Sequence, residues 1–174
     1  VRSTTDILAA IESRLTALQW TPSDAPAQPA FGAVHRYDTT RLEEAFEELT
    51  ISKVRVAVAV YTGATWEREW QGSAVKAVRV TSITVLVSDR ALGKRAQALE
   101  GGAGNPGVHL LRELVSANLV GRLIDAPEAI DVLPVSEDLL EIRKESLPGR
   151  VVGAVELECR GGWLTARVGP GPAR

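Results

Sequence analysis

The sequence predicts an α+β domain, with a mainly antiparallel sheet of about four to five strands and helices packed on one face. Three observations carry this. Apolar residues recur at helical spacing in three separate segments. Two long apolar runs, 53–61 and 77–88, follow one another closely enough to pair as an antiparallel hairpin. Helical and strand segments are grouped rather than strictly alternating, which argues against a doubly wound parallel sheet. With 174 residues and 45% hydrophobic content, the chain fits a single domain over 1–174 with a sizeable core.

Each element follows from local pattern. Ile7, Leu8, Ile11, Leu15 and Leu18 share one helical face over 4–18, and Ser3 or Thr4 can cap it. Residues 19–38 hold Pro22, Pro26 and Pro29 with no period, and read as an extended connector. A connector this long inside a domain suggests a segment that contacts something. In TTRLEEAFEEL, Thr40 and Glu43 have capping-box spacing, Leu42, Phe46 and Leu49 lie on one side, and Glu43, Glu44, Glu47 and Glu48 form an acidic solvent face. In KVRVAVAVY both alternating faces are largely apolar, as expected of a central strand. TGATWEREWQGSAVK then reads as a long hairpin tip before the second strand, AVRVTSITVLVS. The main helix is predicted from about Pro106 to Leu123, burying Leu110, Leu111, Leu114, Leu119 and Val120. A short strand at 130–135 and DLLEIRKE lead through the turn ESLPGR into VVGAVELECR, where Val151, Val155, Leu157 and Cys159 alternate. Glu141, Arg143 and Glu145 are expected to face Glu156, Glu158 and Arg160. The tail at 168–174, ending GPGPAR, reads as frayed.

Composition narrows the function. Net charge is −2, with no pull toward nucleic acid or anionic membrane. Basic residues are scattered and aromatics few, so specific nucleic-acid binding is unsupported. One cysteine, Cys159, excludes an intrachain disulfide and a cysteine-rich metal site. No apolar run is long enough to span a bilayer and no signal peptide precedes the first helix, so a soluble protein made inside the cell is expected.

Gly102, Gly104 and Gly107 satisfy G-x-G-x-x-G at the start of the main helix. A dinucleotide site needs a strand ending at the first glycine; here the preceding strand ends near Ser88. No G-K-[ST] follows, and Pro106 removes a backbone donor. The glycines are therefore expected to permit close backbone approach. His35 and His109 stand apart, without clustered carboxylates, and no nucleophile or metal motif appears. No catalysis, cofactor or metal is expected. Trp66, Glu67, Arg68, Glu69 and Trp70 are different: two tryptophans flanking an arginine are the residue types that dominate binding hot spots, and they are the protein-interface candidates.

In the order and texture of its segments the chain resembles the tail terminator proteins of Mu-like phages and prophages. The resemblance runs through ILAAIESRLTAL, VRVAVAVYTGA, VTSITVLVSDR, GNPGVHLLRELV and IDVLPVSEDLLEIRKE into VVGAVELECR, most of residues 4–160. It implies a small α/β domain assembling as a hexameric ring. That ring would sit on the last ring of the tail tube, stop its polymerisation and present a surface for head joining. Implied partners are further copies of the chain, the tail tube protein, the sheath and head-side connector proteins, with DNA passing through the ring. The implied location is the head-proximal end of the virion tail, after assembly in the host cytoplasm. The connector at 19–38 and the GPGPAR tail match no segment of the family. A head–tail completion protein shares this size and style, and a nucleotide-binding enzyme using the 101–107 loop is the alternative from a different class.

Overall fold

The computed structural model describes residues 3–37, 42–51, 55–71, 74–90, 95–102, 104–124, 129–140 and 150–167. Helix α1 (Thr4–Ala17) is followed by two short strands, β1 (Gln19–Trp20) and β2 (Gln28–Pro29), and by β3 (Ala33–Tyr37). Helix α2 (Leu42–Ile51) leads into the long strands β4 (Val56–Gln71) and β5 (Ala74–Arg90). Then come α3 (Arg95–Glu100), α4 (Gly107–Leu119), β6 (Gly121–Ile124), β7 (Ile130–Leu140) and β8 (Arg150–Arg167).

Helix α1 forms where its stripe predicts. Ser3 accepts from the Asp6 N–H and Asp6 accepts from the Ser3 N–H, a capping box, and Ile7, Leu8, Ile11 and Leu15 are buried. Arg14 in its last turn donates to the carbonyls of Asn118 (3.1 Å) and Arg122 (2.6 Å), tying α1 to the end of α4 and the start of β6. Helix α4 is shorter than expected and rotated. Its buried side is Val108, Leu111, Val115 and Leu119, while Leu110 and Val120 are exposed. It stops before Gly121, whose φ of 95° turns the chain into β6.

The sheet differs from expectation in three ways. Among the described residues it has six strands, in the order β3-β4-β5-β8-β7-β6. It is mixed: β3 runs parallel to β4, and every other neighbouring pair is antiparallel. Helices also lie on both faces. Ala57 and Ala59 of β4 pack with α1 and α4, whereas Val56, Val58 and Val60 pack with Ala45 and Leu49 of α2. These departures share one cause. The unperiodic connector supplies β3, a parallel neighbour requires a crossover, and α2 is that crossover. Its Ala45 and Leu49 are buried on the face that α1 leaves free. The double-sided apolar pattern of β4 did signal two coverings, but the strand lies one in from the edge.

The connector is held firmly. Arg55 lies 5.3 Å over the Trp20 ring and donates to the carbonyls of Ala30 (2.9 Å) and Pro29 (3.1 Å). Burial lowers the pKa of this guanidinium, and the Asp89 carboxylate offsets part of that shift.

Strand length decides what stays uncovered. At about 3.3 Å per residue a 16-residue strand runs ~50 Å, whereas a 14-residue helix covers only ~20 Å. The second half of β4 therefore runs past the helices. The stretch 62–76, expected as a hairpin loop, is instead mostly regular strand, with Thr65↔Val80 through Gln71↔Ala74 in register. Strand β8 continues the pairing to Ala74↔Arg167, so the extension is a three-stranded arm.

Thr40 of the second helix's expected capping box, Glu141, Arg143 and Glu145, the turn ESLPGR before Arg150 and the tail at 168–174 lie outside the described residues. Glu156, Glu158 and Arg160, expected opposite Glu141, Arg143 and Glu145, are instead the cross-strand partners of Ser136, Leu133 and Asp131 of β7.

Candidate functional site

The interface candidates sit on the arm. A bulge at Thr62, between the pairs Tyr61↔Ile83 and Gly63↔Ser82, resets the strand before it leaves the helical layer. Beyond it, alternation puts positions 66, 68 and 70 on one face and 67 and 69 on the other. Glu67 forms an ion pair with Arg160 of β8, and Glu69 lies 3.8 Å from Lys76 of β5. The Trp66 side chain is 50% exposed and Arg68 is exposed. The arm thus neutralises its acidic residues on one side and offers an indole and a guanidinium on the other.

The base of the arm is anchored to the helical layer. Arg79, the cross-strand partner of Trp66, donates to the Thr4 hydroxyl at the start of α1 (2.9 Å). Trp66 and Arg68 therefore lie on the α1–α4 side of the sheet, beyond the end of α1.

Packing explains Gly107 and Gly101 of the glycine-rich segment, but not Gly102 and Gly104, where a Cβ would meet nothing within 4 Å. Gly107 has φ +74°, and a Cβ there would stand 2.3 Å from the Gly101 nitrogen; a Cβ on Gly101 would stand 2.5 Å from the Pro106 carbonyl. Two backbone stretches touch, and only glycine fits. The Gly107 N–H at the start of α4 donates to the buried carboxylate of Asp89 (3.1 Å). An internal anion thus occupies the position at the helix N-terminus that a phosphate would take.

The isolated titratable groups are also accounted for. His35 lies on β3, its ring stacked with Tyr37 at 6.4 Å between centroids. His109 Nδ1 stands 2.8 Å from Arg112 Nη2 on the same helix. Cys159 is buried, and burial pushes its pKa up to about 12, which keeps the thiol neutral and unreactive. Among the described residues no group of three or more His, Cys, Asp or Glu could hold a metal ion, and no helix is long and apolar enough to cross a membrane.

Among the described residues, α2 covers only part of the sheet face opposite α1 and α4. Beside α2 it is open and forms a concavity of about 340 Å³, lined by Thr62, Ser82, Thr84, Val135, Glu156 and Glu158 among others. The Ser136 hydroxyl donates to Glu156 (3.0 Å), and Leu133 and Val135 of β7 flank the acidic pair, both more than half exposed. No protein-family model matches the chain, and no curated protein matches it. Sequence reading singled out Glu156 and Glu158 on one side of their strand but missed the concavity that they line with Ser82 and Thr84. Its signal was the alternation of Ser82 with Thr84 and of Glu156 with Glu158, which marks a polar face on otherwise apolar strands.

Proposed function

We propose that this chain is a structural ring subunit of a phage tail, a tail terminator that caps the tail tube, stops its growth and offers the surface to which the head joins. The observation that carries the assembly part is the arm: strands running past the described helices, with Trp66 half exposed opposite Arg79 at its base and Arg68 exposed further along. A half-exposed indole on a three-stranded extension serves contact between chains better than it serves this chain's own core. The tube and the head as partners come from the resemblance over most of residues 4–160. A ring subunit of this kind needs lateral and axial surfaces but no cofactor and no catalytic group.

Capping requires asymmetry along the tube axis. A terminator binds a finished tube end and presents a different surface on its far side, since a repeated heterologous contact would continue the polymer. Small amounts of protein then suffice, because growing ends are far fewer than tube subunits.

The test is deletion of the gene from its phage, with electron microscopy of the lysate. Tailless heads beside tubes of uncontrolled length are expected, with joining restored by added protein. Tails of uniform, normal length that fail to attach would assign the chain to head–tail completion instead.

A further inference from the structure

The arm and the open sheet face are complementary, and one chain cannot bring them together. Trp66 and Arg68 share a face with Arg79, which reaches α1. The concavity lined by Ser82, Thr84, Glu156 and Glu158 lies on the opposite face, the one that carries α2. We propose that the concavity of one copy receives the Trp66–Arg68 face of the arm of a second copy. Trp66 lies over Leu133 and Val135, and the Arg68 guanidinium reaches Glu156 and Glu158.

Charge selects this occupant. On the arm, Glu67 and Glu69 are matched by Arg160 and Lys76, whereas Arg68 has no ion pair among the described residues. In the concavity, Glu156 accepts from the neutral Ser136 hydroxyl, and neither Glu156 nor Glu158 has a cationic partner among the described residues. Asp138, 3.4 Å from the same hydroxyl, adds to the negative field. A guanidinium suits such a pair because its planar fork can serve two carboxylates at once.

Apolar surface and spacing agree with the charges. Trp66, Leu133 and Val135 are 50%, 55% and 54% exposed, among the most exposed large apolar side chains described. Trp66 and Arg68 are two residues apart on a strand, about 6.6 Å. Leu133, beside the concavity, is the cross-strand partner of Glu158, on a strand about 4.8 Å away, so an exposed apolar side chain and the acidic lining are separated on a similar scale.

Donor and acceptor surfaces differ and lie on opposite faces, so the contact is head-to-tail. Repeated with the right rotation, it closes into a ring. The closure rests on the ring-subunit reading above; the contact itself does not.

Mixed-variant sedimentation tests it. The wild-type chain is expected to self-associate. Trp66→Ala with Arg68→Glu disables the arm and leaves the concavity intact, and Val135→Ser with Glu158→Lys does the reverse. Each variant alone is expected to be a folded monomer, with association weakened roughly thirty-fold or more. Mixed together they retain one good contact per pair, so 1:1 dimers that grow no further are expected. Should either double variant unfold, Arg68→Gln and Glu158→Gln replace them, with roughly ten-fold weakening each. A monomeric wild type, a variant that still assembles alone, or a mixture that stays monomeric would each overturn the contact. If mixing yields dimers but deleting the gene leaves normal virions, the contact stands and the tail role falls. If both variants still cap tubes, the role stands and this contact falls.

Discussion

The two halves of the long hairpin obey different rules. In the first half, Val56 to Val60 of β4 and Val85 to Val87 of β5 are buried on both faces, under α1 and α4 on one side and α2 on the other. In the second half, β4 carries Trp66, Glu67, Arg68 and Glu69 into water, while β5, between β4 and β8, keeps Val78 and Val80 buried. The ladder continues unbroken across the change apart from the bulge at Thr62, so backbone pairing does not distinguish the halves. Side-chain burial does. The first half holds the fold together, and the second is, in the proposed reading, held out for contact with another chain. A change in the first half should therefore cost stability, and one in the second should cost association.

The largest effect belongs to the covered half and its supports. Gly107→Ala would force a Cβ into the Gly101 and Glu100 backbone at a left-handed φ. A loss of about 4 kcal/mol or more, or failure to fold, is expected in urea denaturation. An unchanged midpoint would mean that the 101–107 contact does not form. Next is Leu111→Ala, fully buried in the α1–α4 layer, where about 3 kcal/mol is expected from lost burial and the cavity left behind.

Cys159 sharpens the comparison through pH. Its folded pKa is raised to about 12 from an ordinary 9.0 by burial. The stability gained by keeping this thiol neutral is complete below pH 9 and fades as pH climbs toward 12. Between pH 8 and pH 10.5 the wild type should lose about 1–2 kcal/mol more than Cys159→Ala loses. Equal slopes would place the thiol in contact with water. A thiol reagent should correspondingly label Cys159 only after unfolding.

The smallest effect on stability is the one that matters most for the arm. Trp66→Ala should shift unfolding by no more than about 0.5 kcal/mol, as expected of a surface position, while weakening association by about 2 kcal/mol or more. A large drop in melting temperature with normal assembly would return the indole to the core.

Much of the covered half was legible in advance. The α1 stripe from Ile7 to Leu18, the double-sided apolar run of β4 and the structural use of Gly107 all follow from period and local geometry. What was hidden depended on distant partners. Residues 33–37 form a strand only because β4 offers a free edge, so AVHRY carries little pattern of its own. The phase of α4 was misjudged because leucines were weighed above Val108 and Val115, yet the sheet at Gly153 admits the helix on the valine side; a Cβ there would meet Val108 and Arg112. The arm residues were legible as interface candidates by type, but their strand conformation was not. Nothing in TGATWEREWQGSAVK states that β8 will run alongside it to Arg167.

Hydrogen exchange followed by mass spectrometry at low and high protein concentration tests the central claim most directly. Amides in Thr65–Gln71 and in Leu133–Ser136 should gain protection together as concentration rises, while Val56–Val60 remain slow throughout. Protection at both surfaces that does not change with concentration would contradict the claim that the arm exists to join one copy of the chain to the next.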